Sequence, residues 1–219
     1  MARKASFTLM RLAALLVIVA TAPACALVGY QDAHVLAPKQ IELTPSYSQV
    51  AVSGVAVGDD GKTETVRVVN NFGVHLALGL PKGVNVSAAV MRSQTLTGTG
   101  DGATGFALGI KFRLKQDRLA LFVPAALVVG PGIDTSSTFV VRPTLIFTKA
   151  ISPRIDFSPS GYVAVRFCSG CTPAIGADLG AGIKLGAHMI VRPAFGALVV
   201  PGDAGVYWSA GVGLSLRRK

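Results

Sequence analysis

The chain has 219 residues, of which 51% are hydrophobic and only 15% are charged, and its formal net charge is +10. Soluble domains carry about 25% charged residues, and this sequence contains just two glutamates, Glu42 and Glu64. The composition therefore excludes an ordinary soluble helical domain and favours a β-rich or membrane protein.

The first segment, residues 1–24, has the pattern of a secretory signal peptide. Arg3, Lys4 and Arg11 supply a positive start, Leu12–Ala20 is apolar, and small residues follow it. The apolar stretch is too short to span a bilayer as a stable helix. We therefore expect export, and because an exported chain rarely meets nucleic acid, the basic excess predicts no nucleic-acid partner.

The three cysteines leave two processing routes open. The residues before Cys25 fit an ordinary signal peptidase, and they also resemble a lipobox, in which Cys25 becomes the lipidated first residue. Cys168 and Cys171 form a CxxC in a predicted outer loop, where an oxidising compartment favours a disulfide. A redox-active pair would need a helix N-terminus, and a metal site would need two further ligands. We therefore expect neither a cofactor nor a metal.

Residues 25–48 are polar and irregular, contain Pro38 and Pro45, and predict a linker that leads into a β-domain over residues 49–219. Within that domain the large apolar residues recur at every second position. The clearest run is Phe106, Leu108, Ile110, Phe112 and Leu114. Since successive strand side chains point to opposite faces, each segment has one apolar face and one polar or small face.

Ten strands are predicted, joined alternately by short polar turns and by longer loops rich in Gly, Ser and Thr. They cover residues 49–57, 63–80, 84–92, 105–114, 118–129, 138–149, 153–167, 174–186, 188–199 and 205–216. An even strand number with this alternation is typical of a transmembrane β-barrel. The alternative is an eight-stranded barrel in which the chain before about residue 70 lies outside the wall.

The apolar face is predicted to contact lipid. It is uniformly Phe, Leu, Ile and Val, whereas the opposite face is mostly Gly, Ala and Ser with scattered charges, which suits a narrow lumen. Residues 49–219 thus resemble the small outer-membrane β-barrel proteins of Gram-negative bacteria. The resemblance implies an all-β, antiparallel, up-and-down transmembrane barrel in the outer membrane. It also implies contact with outer-membrane lipid and insertion by the barrel assembly machinery.

Strand alternation assigns a set of charged residues to the lumen. They are Arg67, His75, Lys111, Arg113, Arg142, Arg154, Asp156, Arg166, Asp178, Lys184 and Arg192. Charges in a narrow lumen must be paired or hydrated, so this set predicts an internal ion-pair network. Because bases outnumber acids, an alternative prediction is a conduit that prefers small anions.

We therefore predict a non-enzymatic outer-membrane barrel with a structural, binding or small-anion passage role. One alternative is a barrel-embedded lipid hydrolase, for which His75 and His188, both near predicted turns, are the candidate histidines; no G-x-S-x-G motif accompanies them. The other alternative is a soluble periplasmic barrel that turns its apolar face inward and binds an apolar ligand.

Overall fold

The computed structural model describes residues 30–56, 63–96, 102–131, 139–168, 171–202 and 205–218. The strand segments in these ranges are β1 (Ile41–Ala56), β2 (Thr63–Leu80), β3 (Val84–Thr95), β4 (Ala103–Lys115), β5 (Leu119–Val129), β6 (Phe139–Val141), β7 (Thr144–Phe147), β8 (Lys149–Ser152), β9 (Ile155–Arg166), β10 (Ala174–Lys184), β11 (Met189–Val199) and β12 (Val206–Arg218). All pairings are antiparallel, and β1 pairs with both β2 and β12. The sheet therefore closes on itself into a barrel.

The segments β6, β7 and β8 occupy a single position in the wall. β5 pairs with β6 and β7, and β9 pairs with all three. The wall is interrupted at Pro143, a residue with no N–H to donate to a neighbouring strand. Counting these pieces once, the barrel has ten wall positions. The ten-strand prediction is confirmed, and the eight-strand alternative is wrong.

The two ends of the barrel differ. At one end, which we call the turn end, β1 begins, β12 ends, and short connections join β2 to β3, β4 to β5, β8 to β9 and β10 to β11. The longer connections lie at the opposite, loop end. This arrangement matches the predicted alternation of turns and loops.

The apolar faces of the strands point outward. Along β4, Phe106, Leu108, Ile110 and Phe112 are exposed, and Leu108 is 70% exposed, while the alternate residues Ala107 and Lys111 are buried. An apolar surface that encircles a protein far exceeds the few hundred Å² found on soluble monomers, so the exterior faces hydrocarbon. The soluble barrel with an inward apolar face is therefore wrong. Within the described ranges, no helix has the length and apolarity needed to cross a membrane.

The predicted linker of residues 25–48 is wrong for its described part. Asp32, Ala33, Val35 and Leu36 are buried. The Ala33 N–H donates to Thr148 Oγ1 at 2.8 Å, and the Leu36 N–H donates to the side-chain oxygen of Asn85 at 3.1 Å. Residues 30–36 therefore lie inside the barrel, and we call them the plug segment.

Strand β1 begins at Ile41, not at residue 49, because a proline conceals the strand pattern. Ile41 and Leu43 are exposed, and the polar Glu42 and Thr44 between them are buried, which is the alternation of a wall strand. Pro45 falls where the pairing with β12 is interrupted, between Leu43 and Ser46. The gap in the pairing with β12 therefore coincides with a residue that has no N–H to donate.

The plug segment is seated against Gly79, which predicts the effect of a single methyl group. A Cβ at Gly79 would collide with the carbonyl oxygens of Leu36 and Ala37. We expect Gly79→Ala to displace the segment and to lower the free energy of unfolding by about 1–3 kcal/mol, measured by denaturant unfolding in detergent micelles. The matched control is Gly161→Ala, whose Cβ meets nothing within 4 Å. Equal stability of the two variants would contradict the seating of the segment.

Candidate functional site in the lumen

The plug segment carries one carboxylate, that of Asp32. Its Oδ2 lies 2.7 Å from Arg192 Nη1 and 3.6 Å from Arg217 Nη2. Lys111 Nζ donates to the Asp32 backbone oxygen at 3.0 Å and lies 4.0 Å from Oδ1. Three cations from β4, β11 and β12 thus converge on one acid of the plug segment, and we call these four residues with Glu42 the plug cluster.

Within the plug cluster, Arg192 joins the plug to the wall. Its Nε donates to Ser215 Oγ at 2.7 Å, and its Nη2 donates to Glu42 Oε2 at 3.4 Å. Glu42 also accepts a hydrogen bond from Arg217 Nε. Charge-assisted bonds of this kind are the strong ones, and a guanidinium can serve several acceptors at once. Each end of the Arg192 guanidinium therefore has an acceptor although the side chain is buried.

The environment of the plug segment shifts the pKa values of two of its residues, Asp32 and Tyr30. Burial by itself would raise the pKa of Asp32, but the positive charges of Arg192, Lys111 and Arg217 outweigh it and hold that pKa below the ordinary value. Burial raises the pKa of Tyr30 to about 12. At neutral pH, Asp32 is therefore an anion and Tyr30 is neutral.

A second buried pair lies nearer the loop end. Arg142 Nη2 donates to Asp178 Oδ2 at 2.7 Å, and the guanidinium carbon of Arg142 lies 3.3 Å from the centre of the Tyr162 ring. The cation is thus held by a carboxylate on one side and by an aromatic face on the other. This pair links β9 and β10 to the interrupted wall position, whose break lies beside Arg142.

A third group of charges closes the lumen toward the turn end. Asp156 Oδ2 lies 2.9 Å from Lys184 Nζ and 3.6 Å from His34 Nε2. His34 Nδ1 lies 3.3 Å from Asp117 Oδ1, in the turn between β4 and β5. His34 therefore lies between two carboxylates, one buried and one exposed.

The predicted lumen residues differ in how deeply they are buried in the structure. Lys111, Arg142, Asp156, Asp178 and Arg192 are buried in the lumen, and His75 is half-buried there. Lys184 is half-exposed and Arg166 is half-buried. Arg67 lies in β2, but its side chain is outside the described part of the structure.

The predicted lumen set is wrong for Arg113 and Arg154, because both side chains are exposed. Arg113 lies two residues before the end of β4, one residue beyond the last position paired with β3, and Arg154 lies in the turn before β9. Alternation gives the direction of a side chain but not its height along the barrel axis. At the turn end, a side chain that points inward from its strand reaches the water at the mouth of the barrel.

Sequence reasoning missed Asp32, His34, Glu42 and Arg217. Glu42 and Arg217 follow the alternation of their strands, and extending the strand pattern to residue 41 and to residue 218 would have found them. Asp32 and His34 lie in a segment without periodicity, so no strand pattern marks them. The surplus of lumen bases over acids was the one signal that a further acid was needed.

The remaining predictions concern cysteines and metals. Cys168 and Cys171 form a disulfide near the loop end. Cys25 and the predicted signal peptide, residues 1–24, lie outside the described residues. Among the described residues, no three His, Cys, Asp or Glu side chains are grouped so as to hold a metal ion.

Little space is left around the plug segment. A cavity of about 40 Å³ is lined by Tyr30, Arg142, Tyr162, Asp178 and Tyr207, and smaller ones of about 10 Å³ lie beside His75. Since one ordered water needs about 10–15 Å³, the first cavity has room for about three waters. The described side chains and the plug segment therefore leave little free space around Tyr30 and His75.

An antiparallel barrel with ten wall positions, an apolar exterior and a charged, filled interior is a transmembrane β-barrel of the outer-membrane type. No protein family model matches the chain, and no curated protein sequence matches it. Solved structures resemble it at low sequence identity.

Three of these structures illustrate the similarity. An outer membrane channel from Pseudomonas putida F1 has 9% identity and a TM-score of 0.49, over 85% of this chain and 98% of that chain. The outer membrane protease OmpT from Escherichia coli has 10% identity and a TM-score of 0.46, over 85% and 100%. The translocator domain of the autotransporter NalP from Neisseria meningitidis has 10% identity and a TM-score of 0.45, over 81% and 88%. At such identities the similarity concerns the fold alone, and the class stated above follows from the barrel's own geometry.

Removing Arg192 tests whether the plug cluster stabilises the barrel. We expect Arg192→Met to lower the free energy of unfolding by about 3–5 kcal/mol, because Asp32 and Glu42 lose the cation that lies between them in a buried site. The measurement is denaturant unfolding in detergent micelles. Arg154→Met is the matched control, since Arg154 is exposed, and its expected change is within about 0.5 kcal/mol. Equal losses in both variants would contradict a structural role of the cluster.

Proposed function

We propose that this protein is an outer-membrane barrel whose lumen is normally closed by its own plug segment, and that it passes small anions only when that segment leaves. The resting protein then has a structural or binding role. The observation that supports this proposal is the convergence of Arg192, Arg217 and Lys111 on Asp32. A segment held in this way blocks the lumen at rest, and its charge is what neutralises the lumen bases.

The selectivity follows from the charges that remain when the plug segment is absent. Lys111, Arg192 and Arg217 stay on the wall, and Glu42 is the acid of the plug cluster that stays with them. This zone of the lumen would then carry a positive surplus. A ring of cations favours anions in a narrow pore. The predicted anion preference therefore belongs to the unplugged barrel.

Conductance across planar bilayers tests this proposal. Wild-type protein is expected to give little current, because the plug segment fills the lumen. Asp32→Asn removes the charge that holds the segment, and we expect more frequent openings with a reversal potential that favours chloride over potassium. Arg154→Gln is the matched control, since Arg154 is an exposed charge in the turn before β9, and it should behave as wild type.

Two results would contradict the proposal. A wild-type protein with steady large conductance would show that the lumen is not closed by the segment. An Asp32→Asn variant that folds, as judged by heat-modifiable gel mobility, but opens no more often than Arg154→Gln would show that Asp32 does not hold it.

We also propose that the barrel is not a hydrolase. The two ring nitrogens of His75 lie 3.4 Å and 3.3 Å from the Gln31 amide nitrogen, and its ring meets the edge of Phe122. A general base in hydrolysis must lie within hydrogen-bond reach of a nucleophile or of its water, and neither of these partners is a nucleophile.

Release of fatty acid from phosphatidylglycerol vesicles checks this second proposal. We expect wild-type protein to release no more than His75→Ala protein at the same concentration. A wild-type activity that is lost in His75→Ala would overturn it.

A further inference from the structure

The turn end of the barrel carries a ring of exposed basic side chains, which we call the basic collar. Its members are Lys39, Lys82, Arg113, Lys115, Arg118, Lys149, Arg154 and Arg218. Among the acids whose side chains the structure describes, Asp117 alone is exposed, and it lies against His34. The collar is therefore a concentrated positive surface that the plug cluster does not neutralise.

The basic collar stands where the apolar exterior ends. In β8 the exposed Lys149 lies between Phe147, at the end of β7, and Ile151, which are both exposed apolar residues. In β12 the exposed Arg218 follows the exposed Leu216 by two positions, on the same outward face. These cations therefore border the surface that contacts hydrocarbon, at the height where lipid headgroups begin.

The collar also surrounds the barrel. Its residues come from the approach to β1, the β2–β3 connection, the last part of β4, the β4–β5 connection, β8, the β8–β9 connection and the end of β12. Of the junctions at the turn end, the β10–β11 connection is the one that lacks a lysine or arginine between its strands. A soluble partner would contact one side of such a ring, whereas a lipid annulus contacts all of it.

The opposite end lacks such a collar in the part that the structure describes, where exposed bases are scarce. Arg92 is an exposed base near that end, where its Nη1 donates to Thr104 Oγ1 at 2.9 Å. Among the described residues, exposed bases are therefore concentrated at the turn end.

From this position and distribution we infer that the basic collar binds the phosphate groups of anionic phospholipids in the leaflet that meets the turn end. Each lysine or arginine near an anionic membrane surface contributes about a five-fold factor to binding. Eight such groups around one perimeter form a set of sites for several lipids. Because the sites are exposed, their binding weakens with rising salt.

Native mass spectrometry of the full chain in detergent micelles tests the inference. The probes are phosphatidylglycerol and, as the neutral-headgroup comparison, phosphatidylcholine. Wild-type protein is expected to retain several phosphatidylglycerol molecules and to prefer them over phosphatidylcholine. A variant with Lys82→Gln, Arg118→Gln, Lys149→Gln and Arg154→Gln together should lose that preference by at least about ten-fold.

A matched pair of single variants keeps the test valid if the fourfold variant does not fold. Arg118→Gln should weaken phosphatidylglycerol retention by about five-fold, whereas Arg92→Gln, the same change at the loop end, should leave it unchanged. Heat-modifiable gel mobility verifies folding in each case.

Several results would overturn the inference. They are equal retention of both lipids by wild-type protein, equal losses in Arg118→Gln and Arg92→Gln, and retention by the folded fourfold variant that matches wild type. Inorganic phosphate separates free phosphate from a lipid headgroup: if it competes as strongly as phosphatidylglycerol, the lipid assignment is wrong. Tighter binding of a soluble polyglutamate than of the lipid would assign the collar to an acidic protein partner instead.

Discussion

The cost of burying charge inside a narrow barrel governs the structure of this protein. Arg192, Lys111 and Arg142 lie in a lumen that is largely closed to water, and a buried ion without a partner costs several kcal/mol even after relaxation. Asp178, a residue of the wall, forms an ion pair with Arg142. For Arg192 and Lys111, part of the compensating charge comes from outside the wall, on Asp32 of the plug segment. The plug segment that closes the lumen therefore also supplies part of the charge that neutralises the lumen bases.

Barrel width explains why a segment of chain is needed at all. Eight strands leave an interior that side chains can fill, and the diameter grows with strand number. This wall has ten positions, and many of its inward residues are small, such as Gly79 and Ala107. Small side chains leave room that the plug segment takes up. Where the segment passes Gly79, the backbones are so close that a methyl group would not fit.

Most of the wall could be predicted from the sequence, because lipid selects large apolar residues at alternate positions and Phe106, Leu108 and Ile110 display that period directly. β1 was harder to find, since its outward face includes Pro45 and its inward face is polar. The depth of Arg113 could not be predicted, because alternation specifies a side and not a height. The plug segment has no such regularity: Asp32 is defined by distant partners, and Arg192 is 160 residues away in the sequence. Contacts of that kind follow from the closed fold rather than from local pattern.

The location of the plug cluster has a consequence for how the barrel assembles. Its acids belong to the beginning of the described chain, Asp32 and Glu42, and its guanidinium groups belong to the last two strands. Of the two strands that close the ring, β1 carries one charge, that of Glu42, and β12 carries two, those of Arg217 and Arg218, so each strand repels a copy of itself. The opposite edge of the same molecule is the complementary surface. Ring closure and charge neutralisation then occur in one step, which disfavours the edge-to-edge association to which open sheets are prone.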